Sequence, residues 1–462
     1  MISVDLLIED CRFYYYDSLV EGCIGISSGL IVFLGRKPTA PTAEHKLNLK
    51  GMIVLPGAID IHVHIFSPGW IKETFETGSM AAAVGGYTLI ADMSSVGEWK
   101  TTSLKIFREK IKAGESSSIV DFCLYCGEIN SIEDLVEIPR LLDEGAVGLG
   151  EIMMCEPDPI PDSYTLLKAM EVVSNANAVI AVHAEDRSLI KQAVKPPSKS
   201  YESFSICRPP LAEEKAIVEA SILARKAGCK VHICHVSSRQ GVRAITLSKK
   251  IYKKVSAEVT PHHLLLSTKD YEKLGPLIIA TPPVRGKEDC KALWKALSCG
   301  LIDVFATDHC AFSKRDKEKA EEPLDVPAGI PGLEVALALL WSEGVRKGLI
   351  SLERYVEATS QEPSRILGLY PKYGCISIGS VANLTVIDPK VSWKISSEDL
   401  YCVSDYTPYE GVEVEGRPVM TIVRGQQVAR YGRPAGKPGW GRFVRPIRLI
   451  GTETESRDNT TL

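Results

Sequence analysis

Asp60-Ile61-His62-Val63-His64 reads as the end of a β-strand, and the fold follows from it. Residues i and i+2 of a strand share a face, so His62 and His64 point the same way. The same texture recurs along the chain. His183 ends the apolar run Val179-Ile180-Ala181-Val182, His235 ends Val231-His232-Ile233-Cys234, and Asp308 ends Val304-Phe305-Ala306-Thr307. Short apolar strands close near His64, Met93, Cys126, Ile152, His183, Val236, Thr260 and Asp308. Between them lie helical stretches such as Ser131 to Asp143, Tyr164 to Asn175, Ala212 to Ala227 and Glu288 to Cys299. Alternating strands and helices imply a parallel sheet. Eight such units predict an α/β fold, a closed (β/α)8 TIM-like barrel over residues 56–370.

Loops at the C-terminal ends of barrel strands form the active-site mouth. His62, His64, His183, His235 and Asp308 all fall there, although the chain has only nine histidines. Such a set suffices for one or two metal ions. A metal site of this kind generates hydroxide near neutral pH, and an aspartate beside it can take the proton. His232, three residues before His235, lies on the other strand face and reads as structural.

Outside the barrel the texture is β throughout. Ile24 to Leu34 alternates around a turn at Gly29, and strands follow Gly379 and precede Gly425. The simplest assembly joins 1–55 and 371–451 into one small composite β-sandwich. The polar residues 452–462 read as a flexible tail.

Composition excludes several classes. The 462 residues are 45% hydrophobic and 24% charged, too apolar for disorder. With 54 basic and 58 acidic residues (54 − 58 = −4) and no basic runs, no nucleic-acid partner is expected. No run reaches the roughly 20 apolar residues of a membrane span. Asp5, Glu9 and Asp10 interrupt the first apolar run, which argues against a signal peptide. Thirteen scattered cysteines fit reduced thiols in a cytoplasmic protein. Cys123 and Cys126 are three apart on a strand and face opposite sides, which does not suit a shared site.

Several stretches carry a family resemblance. They are Pro56-Gly57-Ala58-Ile59-Asp60-Ile61-His62-Val63-His64, Val182-His183-Ala184-Glu185-Asp186, Arg208-Pro209-Pro210-Leu211-Ala212-Glu213 and His235-Val236-Ser237-Ser238. Thr260-Pro261-His262-His263, Pro282-Pro283-Val284-Arg285, Ala306-Thr307-Asp308-His309 and Gly329-Ile330-Pro331-Gly332 continue it. In this order the chain resembles the cyclic amidohydrolases, the group of dihydroorotases, hydantoinases (dihydropyrimidinases) and allantoinases. The resemblance implies zinc, one or two ions per chain, held by His62, His64, His183, His235 and Asp308, with Asp308 as general acid/base.

One departure matters. The family's metal-bridging carboxylated lysine belongs at the end of the fourth strand, where ungapped alignment places Gly150, so no carboxylated lysine is expected. Glu151 follows, and a carboxylate is a good ligand. One residue flips the strand face, so Glu151 reaches the metal only through a bulge or slip. Otherwise the site holds one ion.

The resemblance also bears on substrate. Dihydroorotases clamp a ring carboxylate with an arginine and a histidine at places occupied here by Phe66 and Phe312. Their asparagine before the paired prolines is Thr281, and the hydantoinase tyrosine after the fourth strand is Cys155. Phe66, Thr281 and Phe312 are therefore candidate substrate-binding residues. The expected activity is opening of a cyclic amide or imide of hydantoinase/dihydropyrimidinase type. Dihydroorotase, allantoinase and a non-catalytic assembly scaffold are the alternatives. The expected partners are a small cyclic amide and further copies of the chain, as a homodimer or homotetramer.

Overall fold

The computed structural model describes residues 3–94, 97–155, 160–192 and 200–448. Its barrel strands are Ala58–His64, Tyr87–Asp92, Asp121–Leu124, Gly148–Met153, Val179–His183, Lys230–Ile233, Val255–Val259 and Val304–Phe305. The first three pair in parallel, as do the last five. Cys126 joins the third and fourth: its N–H donates to the Gly148 carbonyl at 3.0 Å, and its carbonyl accepts from Gly150 N at 2.8 Å. The ring closes where His309 and Cys310, just beyond the eighth strand, pair with Val63 and His64. The Asp60 carboxylate reinforces that closure by accepting from Thr307 N at 3.2 Å and His62 N at 3.1 Å. Burial pushes the Asp60 carboxyl up to about 7.

Both faces of the strands are apolar because a barrel sheet is covered on both sides. Ile59, Leu89, Cys123, Val147, Val179 and Val304 fill the interior. Leu141, Ala169, Ile217, Ile245 and Leu293 press the helices onto the outside. Asp162, Ser103 and Ser238 cap helices that begin just after barrel strands or their loops. The expected helix over 131–143 is instead two pieces, Glu133–Val136 and Ile138–Glu144. Pro139 at the start of the second explains the break, since proline opens helices and interrupts them. Cys123 and Cys126 fall in different core clusters.

The two chain ends meet in one continuous nine-stranded sheet. Ile53–Pro56 is the seam, pairing with Arg12–Phe13 on one side and antiparallel with Leu384–Ile387 on the other. Ile8, Ile24, Val54, Leu384, Val386 and Ile422 share its core. Residues 436–447 leave the sheet and run beneath the barrel, where Val444 N donates to the Phe122 carbonyl at 2.8 Å. The expected tail, 452–462, lies outside the described residues. No described helix is long and apolar enough to cross a membrane.

Candidate metal centre

The strand ends bring His62, His64, Glu151, His183, His235 and Asp308 to one point. His62 Nε2 and His64 Nε2 are 3.3 Å apart, and Asp308 Oδ1 lies 3.3 and 3.4 Å from them. Glu151 Oε1 lies 2.7 Å from His235 Nε2 and 3.4 Å from His183 Nδ1. Its other oxygen faces His62 and His64 at 3.7 and 4.0 Å. The carboxylate thus stands between two histidine pairs. The strand carries the bulge that parity requires: Ile180 opposes Leu149 and Val182 opposes Ile152, two steps against three. His235 and Asp308 have φ of 31° and 50°, a conformation that side-chain-bearing residues adopt at a cost and that concentrates at functional sites.

Buried acids fix the rings from behind. Glu258 Oε1 meets His62 Nδ1 at 2.5 Å, while its other oxygen takes His232 Nε2 at 2.9 Å. Glu258 also accepts His235 N at 3.0 Å. Glu185 meets His183 Nε2 at 2.8 Å and is itself held by Arg208 Nη2 at 2.6 Å. A ring nitrogen tied to a carboxylate leaves the other as a lone pair facing inward, the support that metal-ligating histidines commonly have.

The electrostatics favour positive charge at this point. Burial alone disfavours ionised Glu151, yet the neighbouring His235 and His62 hold it well below the usual carboxylate range. Burial likewise opposes a charged His62, but Glu258, Asp308 and Glu151 outweigh it and raise its proton affinity. Convergent nitrogens among ionised carboxylates form a seat for a cation, and the donor set suits a metal ion.

A cleft of about 320 Å³ opens over this centre, walled by Trp70, Ser94, Glu128, Met153, Arg208 and Thr281. Trp70 meets the His64 ring edge-on at 5.8 Å. Of the three expected substrate-binding residues only Thr281 lines the cleft. Phe66 stacks on Phe75 at 5.1 Å and meets Trp99 at 5.0 Å. Phe312 is buried with Ile71 and Cys310 behind Trp70. Both phenylalanines are drawn into apolar packing, and Trp70 takes the exposed aromatic position.

The amidohydrolase family profile matches residues 53–428. The chain belongs to the amidohydrolase family. Among relatives of this amidohydrolase, the L-hydantoinase of Paenarthrobacter aurescens is 33% identical over 450 residues, 95% of this chain and 98% of the relative. The dihydroorotase of Methanothermobacter thermautotrophicus is 37% identical over 443 residues, 95% of this chain and 97% of its own. The solved structure of the L-hydantoinase (dihydropyrimidinase) from Arthrobacter aurescens superposes with a TM-score of 0.90 at 33% identity, covering 96% of this chain and all of that one.

In this amidohydrolase the centre is bordered by residues to which sequence reasoning gave no role. Glu258 is the one charged residue of the strand Val255–Val259, and a buried acid there is a legible signal of a partner. Glu185 and Arg208 lie within recognisable stretches, but their pairing across 23 residues follows from the barrel alone. The direction of Trp70, on a loop, follows from packing against Phe312.

Proposed function

We propose that this chain opens a hydantoin-type or dihydropyrimidine-type ring at a zinc centre of one or two ions held by His62, His64, His183, His235, Asp308 and Glu151. The class, hydrolysis of a cyclic-amide C–N bond by a metal-dependent amidohydrolase, is that of the family. The observation that supports the metal reading is Glu151, whose two oxygens face separate histidine pairs. In this reading Glu151 takes the part of the family's carboxylated lysine, because Gly150 offers no amine to carboxylate.

Zinc, when bound, brings the pKa of water toward neutrality and polarises a carbonyl. The remaining work is done by the chain. Asp308 Oδ1, partly open to the cleft, takes a proton from the attacking water and delivers it to the leaving ring nitrogen. Glu258 and Glu185 hold His62 and His183 in register. Trp70 offers a flat apolar face to a flat ring.

Glu151→Gln is expected to lower metal content, because an amide is a weaker ligand than a carboxylate. Elemental analysis after zinc-supplemented expression reads this directly. Unchanged stoichiometry would move Glu151 out of the ligand set.

Arg208 is the one arginine among the described lining residues, and it already pairs with Glu185. Glu128 adds a negative charge, shared with Lys100 at 2.9 Å. A ring carboxylate entering this cleft loses hydration without gaining a dedicated cation. Dihydrouracil or a 5-substituted hydantoin is therefore expected to turn over faster than dihydroorotate, by roughly ten- to a hundredfold for a shortfall of about 1–3 kcal/mol. The 37% identity to a dihydroorotase favours the rival ring. Parallel assays with dihydroorotate, dihydrouracil, hydantoin and allantoin separate the two, and efficient hydrolysis of dihydroorotate alone overturns this choice.

The same reading has the β-rich ends, 1–55 and 371–451, as a small domain beside a catalytic barrel of 56–370. It makes the enzyme a cytoplasmic homodimer or homotetramer. Free cysteines along the chain support a reducing compartment.

A further inference from the structure

At the far end of the barrel, away from the metal centre, Leu367, Leu369, Tyr373, Val381 and Val444 plug the N-terminal mouth. Outside this plug lies a cavity of about 390 Å³, formed where the Ser28–Leu30 turn, the segment around Lys372 and the 436–447 segment beneath the barrel meet. Four cations line it, Lys372, Arg424, Arg442 and Arg445, with no carboxylate among the described lining residues.

The deepest of these is Arg424, whose side chain is only 9% exposed. Its Nη1 donates to Asp121 and its Nη2 to the Trp440 carbonyl, while buried Nε has no acceptor. Burial first, then the charge of Arg442, draws its guanidinium down to about 10. Arg445 faces Glu144, which it shares with Arg108. Lys372 and Arg442 have no carboxylate partner among the described residues. Asp121 answers Arg424, and Glu144 divides its charge between Arg108 and Arg445, so among the described residues at least two of the four charges are left. Like charges gathered on one lining give the cavity a positive potential that favours an anion.

The surplus matches one phosphate monoester, which carries about −1.5 to −2 at neutral pH. Tyr373 and Phe443 supply aromatic surface beside the charges, and the volume lies within the roughly 300–1,000 Å³ of small-molecule sites. We propose that this cavity binds an organic phosphate bearing a flat aromatic ring, of the nucleoside monophosphate class, at a site separate from the ring-opening cleft. Guanidinium forks suit the phosphate, and the exposed Arg442 and Arg445 carry them on the cavity lining.

The test is isothermal titration of the full-length protein with AMP and with UMP, and with adenosine and inorganic phosphate as the separated halves. AMP or UMP is expected to bind at least about tenfold tighter than either half, since both the ring and the charge contribute. The double variant K372E/R442E, at two exposed positions, is expected to weaken nucleotide binding by at least about tenfold while leaving ring-opening turnover without nucleotide unchanged. K372Q/R442Q, which removes the charges without reversing them, should move in the same direction. No binding of either nucleotide at millimolar concentration, equal binding by the charge variants, or inorganic phosphate binding as tightly as AMP would each overturn the proposal.

Discussion

Asp308→Asn is expected to abolish most ring-opening activity, by at least about a hundredfold, while the protein keeps its thermal midpoint. General acid/base catalysis contributes roughly 10²–10⁴ in rate, and an amide cannot take up and return the proton. The substitution is a clean probe for a backbone reason. Asp308 has a φ of 50°, and asparagine tolerates that conformation as readily as aspartate does. Its carboxylate contacts are His62 and His64, so the barrel closure at Asp60 is not touched. Steady-state kinetics with metal content measured on the same sample separates proton transfer from metal loss. Near-normal turnover would show that the proton travels by another group.

Glu258→Ala is expected to be the most destabilising single change at the site. It leaves His62 Nδ1, His232 Nε2 and the His235 N–H without their acceptor. Removing one partner of a buried charged network costs about 3–5 kcal/mol. Glu258 is held below the usual carboxylate range: burial alone would raise it, and the charges and hydrogen bonds of His62 and His232 more than offset that. A depressed acid contributes its stability above the ordinary glutamate value and loses it as the solution is acidified through the folded one. The loss should therefore be full at neutral pH and shrink in acid. Urea denaturation of metal-free protein at both pH values measures it, and a midpoint equal to that of the parent at pH 7 would refute the role.

The barrel was legible because each strand announces itself by an apolar run, and several do so again by a polar residue at the end, as at His64, His183 and Asp308. Val179–His183 and Val255–Val259 lie within a residue or so of their expected positions. The eighth strand is only Val304–Phe305, because positive φ at Asp308 turns the backbone before pairing resumes at His309. The placement of His62, His64, His183, His235 and Asp308 around one point was legible for the same reason. Side chains on loops were not. Phe66 and Phe312 sit where alignment expects them, but hydrophobic burial turns both away from the cleft. Alternation governs direction only inside a strand, and beyond its end the neighbours decide. Glu151 shows the middle case, where parity stated the condition and the bulge between Leu149 and Ile152 met it.

That bulge has a consequence for how the enzyme is assembled in a cell. A lysine becomes a bridging carboxylate only after capturing dissolved carbon dioxide, so its metal loading follows the local supply of that gas and reverses when it is lost. In the reading proposed above, Glu151 stands in the bridging place and its carboxylate is translated with the chain. On that reading maturation depends on metal alone, and metal loading is expected to be equal in carbon-dioxide-poor and carbon-dioxide-rich surroundings.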